Sequence, residues 1–228
     1  MLAKTKLWYL ENFNLFDCLS HEKMLELSKM LRMQMISKNE TIYFADDPSE
    51  SIFLLKEGHV KLSRVSDEGR EVITAILNPG EIFGELALTG STARDDTATA
   101  MEDAVICAIS RKNFEEMLVE NPKFNLKITK FIGLKLQRVS RELETLVFKD
   151  SPARIAEFLF RYAMTSGKKI GSEIFIKSSL THQDIASLTA TSRQTVTSML
   201  NNLKEKKIID FTRNQIIIRE PEALKKLT

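Results

Sequence analysis

Between Thr41 and Ser110 the chain repeats short apolar runs separated by turns, the pattern of an antiparallel sheet. The runs are Thr41–Phe44, Ser51–Leu55, His59–Val65, Glu71–Leu77, Thr97–Ala100 and Ala104–Ser110, several rich in Val, Ile, Thr and Phe. Asp67-Glu-Gly69 and Asn78-Pro-Gly80 read as turns between them, and five of the eight glycines fall from Gly58 to Gly90. The pattern predicts a barrel or roll. Ahead of it, Met24, Leu27 and Leu31 at helical spacing predict a helix over Glu22–Met33 that packs on the roll. After it, Ser110 is a predicted N-cap for a helix bearing Phe114, Met117 and Leu118, and Pro122 opens the next element.

No proline interrupts the helical pattern from there to Phe148. Ile132, Leu136, Val139, Leu143 and Leu146 recur at 4-3-4-3 spacing, a heptad seam, while Phe124, Ile128 and Phe131 form a neighbouring stripe. One stripe can cover the roll and the other a second copy of the chain in a parallel homodimer. A helix buried between two domains would show the same two stripes. Asp150-Ser-Pro152 starts a fresh helix, Ala153–Ala163, with serine as N-cap and proline at the first helical position. A loop at Thr165–Gly171 and a strand at Glu173–Lys177 follow.

Next, Thr181 and Asp184 in Leu180-Thr-His-Gln-Asp-Ile-Ala186 make a capping-box pair. After a turn at Thr189–Thr191, a second helix begins at Ser192, with Val196, Met199, Leu200 and Leu203 facing inward. Its outward face carries Arg193, Gln194, Thr197 and Ser198, and Ile208–Phe211 with Gln215–Arg219 predicts a terminal hairpin, or wing.

Charge sharpens this division. The net charge of +2 over 228 residues hides 13 Lys+Arg against 7 Asp+Glu in residues 151–228, a local +6, and a −4 balance before them. A compact basic module suits a polyanion. A helix-turn-helix can also serve as an interaction module without DNA, but a polar outward face on a basic module favours the major groove. There Arg193 can bridge guanine O6 and N7 and Gln194 can read adenine, with hydroxyls on phosphates. Ser192, Thr197 and Ser198 complete that face, and Thr181, Thr195 and Arg213 suit phosphate positioning.

No apolar stretch is long enough to span a bilayer, and residues 1–20, with Glu11 and Asp17, lack a secretory pattern. With only Cys18 and Cys107, and no CxxC pair, a cytoplasmic protein is expected. The three histidines, His21, His59 and His182, have no ligand spacing, so no metal is expected; no nucleophile–base pair or Walker loop appears, so neither is catalysis.

Leu-Thr-x-x-Asp-Ile-Ala followed by Ser-Arg-x-Thr-Val resembles the winged-helix domain of the bacterial cAMP receptor protein and fumarate-nitrate reduction regulator (Crp/Fnr) family. Phe83-Gly-Glu-Leu-Ala-Leu88, followed after five residues by Arg94, resembles the phosphate-binding cassette of cyclic-nucleotide-binding domains. The resemblance implies an α+β chain of three parts: a β-roll sensor over residues 1–120, a dimerisation helix over 121–150 and a winged helix-turn-helix over 151–228. It further implies a homodimeric transcription regulator on a pseudo-palindromic operator, with RNA polymerase as a partner. In the cassette, Glu85 would accept the ribose hydroxyl and Arg94 would pair with the phosphate. Amides near Gly84, Leu86 and Ala87 would complete the anion site, and Ser140 would contact the base.

Asp95 and Asp96 stand where cyclic-nucleotide binders usually carry Ala, Ser or Thr, and Val139 replaces a base-contacting threonine. A carboxylate a few ångströms from a phosphodiester costs about 1–4 kcal/mol. The effector is therefore left open between a cyclic nucleotide, another signal and none, the last through internal pairing of Arg94 with Asp95 or Asp96. A cyclic-nucleotide-binding regulatory subunit without DNA binding is the more distant alternative.

Overall fold

The computed structural model describes residues 6–11, 15–69, 71–177, 180–212 and 215–228. The chain divides into two compact units, one running to Ser66 and resuming over Thr74–Leu136, the other comprising Asp67–Ile73 and Gln137–Thr228. The first contains α1 (Lys6–Glu11), α2 (His21–Met30), β1 (Arg32–Ile36), β2 (Thr41–Tyr43), β3 (Ser51–Glu57), β4 (Val60–Val65) and β5 (Glu71–Leu77), whose first residues group with the second unit. It continues through β6 (Ile82–Phe83), a 3-10 turn at Glu85–Thr89, β7 (Thr97–Ala100), β8 (Ala104–Ser110), α3 (Arg111–Glu120) and the start of α4 (Pro122–Phe148).

Two four-stranded sheets, β1-β8-β3-β6 and β2-β7-β4-β5, form the roll. Strand β3 explains the layering, because its residues Ile52–Lys56 are all buried. Ile52 and Leu54 join Leu27, Phe114, Phe124 and Ile128 in a core under the helices. Phe53 and Leu55 point the other way and pack with Tyr43, Val60, Phe83 and Ala98 between the sheets. Alternation of side chains across the strand thus feeds both cores. As expected, Ser110 caps α3, its hydroxyl accepting from the Asn113 amide at 3.3 Å.

The helix expected over Glu22–Met33 stops at Met30. Leu31 is extended (φ −74°, ψ 137°), and Met33 lies in β1, opposite Cys107 of β8. That pairing reaches across more than seventy residues, and only Ile36 of the strand is buried, so no local alternation announces it.

The second unit holds the rest of α4, then α5 (Ser151–Ser166), β9 (Lys168–Ile170), β10 (Glu173–Lys177), α6 (His182–Leu188), α7 (Arg193–Glu205), β11 (Ile209–Thr212), β12 (Gln215–Ile218) and α8 (Pro221–Lys225). Its sheet runs β11-β12-β10-β9, and its core gathers Ile155, Leu159, Ile176, Ile185, Val196, Leu200, Leu203 and Ile218. The N-cap of α5 is Asp150, whose carboxylate accepts from the Ala153 amide at 2.9 Å, and not Ser151. Both residue types cap well, and Ser151 is already helical. Strand β9 occupies part of the predicted loop because the exposed Lys168–Ile170 pair by backbone with β10.

On α4, Ile132, Leu136, Val139, Leu143 and Leu146 remain 44–69% exposed, whereas Phe124 and Ile128 are buried. The two stripes therefore differ in kind: one is covered within the chain and the seam is not.

Candidate nucleic-acid interface and effector cassette

In the second unit, capping chemistry sorts the polar residues of the helix-turn-helix. Ser192 caps α7, its hydroxyl accepting from the Thr195 amide at 3.0 Å and lying 2.8 Å from the Thr195 hydroxyl. Thr181 caps α6 in a complete capping box: its hydroxyl accepts from the Asp184 amide, and its own amide donates to the Asp184 carboxylate at 2.8 Å. The Thr197 hydroxyl donates to the Arg193 carbonyl at 2.9 Å. Arg193, Gln194 and Ser198 differ, being exposed with side chains that make no internal hydrogen bond among the described residues. At the start of α7 the structure thus brings together three uncommitted side chains, flanked by hydroxyls that hold the helix ends. Arg213 lies outside the described residues.

The turn between the helices depends on a residue that sequence reading missed. Arg154 of α5 donates from Nε to the Thr189 carbonyl and from Nη2 to that of Ala190, both at 2.9 Å, and from Nη1 to the Lys149 carbonyl at 3.0 Å. Ala190 has φ +47°, a left-handed conformation that costs a non-glycine residue about 1–2 kcal/mol, and the guanidinium clamps the turn around it. Nothing in the spacing of Arg154 and Thr189 signals this pairing. The wing has its own knot: Asp210 accepts from Lys204 at 2.8 Å, Arg219 at 3.0 Å and the Phe211 amide at 2.9 Å. The two cations and the amide hold its carboxyl down at about 2.

In the first unit, Gly84 leads into the 3-10 turn at φ +71°, and Glu85 follows it. Glu85 pairs with Lys135 of α4 at 2.9 Å, and Lys135 also donates to the Ile82 carbonyl at 3.1 Å. Arg94 is 6% exposed and turned into the roll. It donates to the Ser51 carbonyl at 2.6 Å and the Gly84 carbonyl at 3.2 Å, and stacks over Tyr43 and Phe53 with ring centroids 4.6 and 5.4 Å away. A Cβ on residue 84 would meet Arg94 Nη1 at 2.7 Å, so glycine is required on two counts. Burial lowers the Arg94 pKa, and the nearby Tyr43, Asp96, Asp47 and Glu85 oppose that shift.

The expected internal pair of Arg94 with Asp95 or Asp96 does not form as a contact. Asp95 faces Arg64 at 3.8 Å, and Asp96 accepts from the Tyr43 hydroxyl at 3.0 Å. Two carbonyls and two rings engage the guanidinium, its buried Nε has no hydrogen-bond partner among the described residues, and Asp96 acts on it only through space. Burial raises the Asp96 pKa, against the Tyr43 hydrogen bond. Leu86 is exposed and Ala87 buried, with the Ala87 amide donating to the Gly84 carbonyl at 3.2 Å. Val139 and Ser140 are exposed on α4.

A cyclic nucleotide does not fit this arrangement. The cavity between Tyr43, Gly84, Glu85, Arg94, Asp95 and Asp96 measures about 30 Å³, room for a water or two. Its charged lining is one guanidinium and three carboxylates, of which Glu85 is paired with Lys135 and Asp95 with Arg64. Both residues expected to hold the ligand are held by the protein itself.

No helix among the described residues is long and apolar enough to cross a membrane, and no group of three or more His, Cys, Asp or Glu side chains there is placed to hold a metal. Residues 33–121 match the cyclic nucleotide-binding domain and residues 153–227 the Crp-like helix-turn-helix domain. The chain is 31% identical to the global nitrogen regulator of Nostoc sp., over 84% of this chain and 87% of that one. It is 25% identical to the CRP-like cAMP-activated global transcriptional regulator of Mycobacterium tuberculosis, over 87% and 88%. A solved CooA mutant from Carboxydothermus hydrogenoformans superposes with a TM-score of 0.77 at 31% identity, covering 97% of this chain and 98% of that one. With its sensor-type roll, long helix and winged helix-turn-helix in this order, the chain belongs to the Crp/Fnr family of DNA-binding transcription regulators, homodimeric proteins with an N-terminal effector-sensing domain.

Proposed function

We propose that two copies of the chain join along the Ile132–Leu146 seam of residues 121–150. The roll of residues 1–120 acts as the sensor, and the paired α7 helices of residues 151–228 read a pseudo-palindromic operator in the cytoplasm, with RNA polymerase as the downstream partner. Two-fold symmetry sets the half-sites about 34 Å apart. The observation that carries this reading is the trio Arg193, Gln194 and Ser198, exposed and uncommitted at the start of α7. Ser192, Thr181, Thr195 and Arg213 position phosphates around them. Arg193 takes the bidentate guanine contact, worth about 1–3 kcal/mol per half-site. Arg193→Ala should abolish the footprint on a selected operator while the dimer persists in sedimentation; a retained footprint rejects the role.

The small cavity, and an Arg94 and a Glu85 held by the protein's own groups, favour a regulator that works without a cyclic nucleotide, although several relatives are named for activation by cAMP. Calorimetric titration of cAMP and cGMP should give no saturable heat and leave operator affinity unchanged. Saturable binding that tightens DNA affinity would show that Arg94 turns outward to a phosphate.

A further inference from the structure

Thr197 stands one helical turn after Arg193 on α7, and its hydroxyl lies 2.9 Å from Nδ1 of His182, the first residue of α6. A hydroxyl has one hydrogen and two acceptor lone pairs. With that hydrogen on the Arg193 carbonyl, 2.9 Å away, Thr197 accepts from the imidazole. This arrangement requires the Nδ1–H tautomer of His182 and leaves one lone pair of Thr197 over. The ring is held in place by edge-on packing against Phe211 of β11, centroids 5.8 Å apart, and Lys204 covers Phe211 at 5.1 Å. First helix, recognition helix and wing thus meet at one imidazole.

We infer that His182 is a positioning residue that makes Thr197 an acceptor-only reader of the major groove. A hydroxyl fixed in this way can take a hydrogen from an exocyclic amine, adenine N6 or cytosine N4. It has nothing to donate to guanine O6 and N7, to thymine O4 or to a phosphate. The inference rests on the reading that α7 enters the groove, and it assigns one further half-site position a preference for adenine or cytosine. It also separates Thr197 from the neighbouring Ser198, whose hydroxyl is free to donate or accept.

The test compares wild type, Thr197→Val, His182→Asn, His182→Gln and Arg193→Ala on a 30-base-pair duplex selected with the wild-type protein, and on duplexes carrying each alternative base in both half-sites. Fluorescence anisotropy reads affinity, and thermal melts run in parallel. The Asn amide places an N–H near the position of Nδ1, whereas the Gln amide reaches that of Nε2. Thr197→Val and His182→Gln are expected to lose about threefold to tenfold of discrimination at one half-site position, the scale of one hydrogen bond. His182→Asn is expected to keep that discrimination, and affinity for unrelated DNA should hold in all three.

Rescue by Gln rather than Asn would make His182 a contact through Nε2 and overturn the inference. So would an unchanged base preference in Thr197→Val, a near-isosteric variant, alongside lost specificity in Arg193→Ala. Full specificity in Arg193→Ala would instead overturn the groove reading itself, and the inference with it.

Discussion

Replacing Arg154 by Met tests whether the helix-turn-helix is held from outside its own two helices. The guanidinium donates to three main-chain carbonyls at 2.9, 2.9 and 3.0 Å. Thr189 is 3% exposed, so its carbonyl loses a charge-assisted bond with little access to water, at a cost of about 1.5–3 kcal/mol. Ala190 is exposed and Lys149 half-buried, and water can replace most of their bonds, adding about 0.5 kcal/mol each. The total is about 3 kcal/mol, concentrated at the turn. Amide hydrogen exchange reads it locally. The Thr191 amide, which donates to the Ala186 carbonyl at 2.9 Å, should exchange about 150-fold faster, as should amides in the first turn of α7. Lys at position 154 should restore only part of the protection, since an ammonium cannot fork between two carbonyls. An exchange rate within threefold of wild type would refute the clamp.

Three further outcomes follow from the same geometry. Burial pulls Lys56 down to about 8, so the unfolded chain binds more protons between pH 8 and the ordinary lysine value; denaturant stability of the first unit should rise across that window by up to about 3 kcal/mol, and Lys56→Met should flatten the rise. Asp210 gives a slope of the same sign in an acid window: its carboxyl is held at about 2, so its contribution is complete above about pH 4, the unfolded value, and fades as pH falls through 2. Asp210→Asn should remove that acid limb from the melting of the wing, and an unchanged acid limb would deny the ion-pair knot a role. Gly84→Ala adds about 1–2 kcal/mol of left-handed strain to a 2.7 Å clash with Arg94, so it should lower the melting temperature of the roll by several degrees; a melt within one degree of wild type would mean that Arg94 yields freely.

What could be read in advance was whatever the chain encodes over a few neighbours. Strand β10 was predicted at its observed limits because Ile174, Phe175 and Ile176 form a short β-prone run bounded by Glu173 and Lys177, and α7 was placed by Ser192 and the spacing of Val196, Leu200 and Leu203. Strands β1 and β9 were missed because they are exposed and exist through backbone pairing alone. The direction of Arg94 was equally hidden. Its motif position suggests a ligand, but Tyr43, Ser51 and Phe53, some forty to fifty residues earlier, turn it inward. Arg154 meets the turn from thirty-five residues away, and His182 reaches Thr197 from fifteen. Such pairings become visible only once the elements are packed.

The uncovered seam on α4 has a consequence in the arithmetic of gene control. On the proposed pairing, the five apolar side chains left 44–69% open on one chain are covered by a second, and the paired form would accumulate as the square of the protomer concentration while protomers are in excess. Halving the protein in that regime quarters the paired form, and operator occupancy falls more steeply than expression. A stripe of Ile, Leu and Val that pairs in this way would give the cell a threshold in protein amount, whether or not a small molecule is ever sensed.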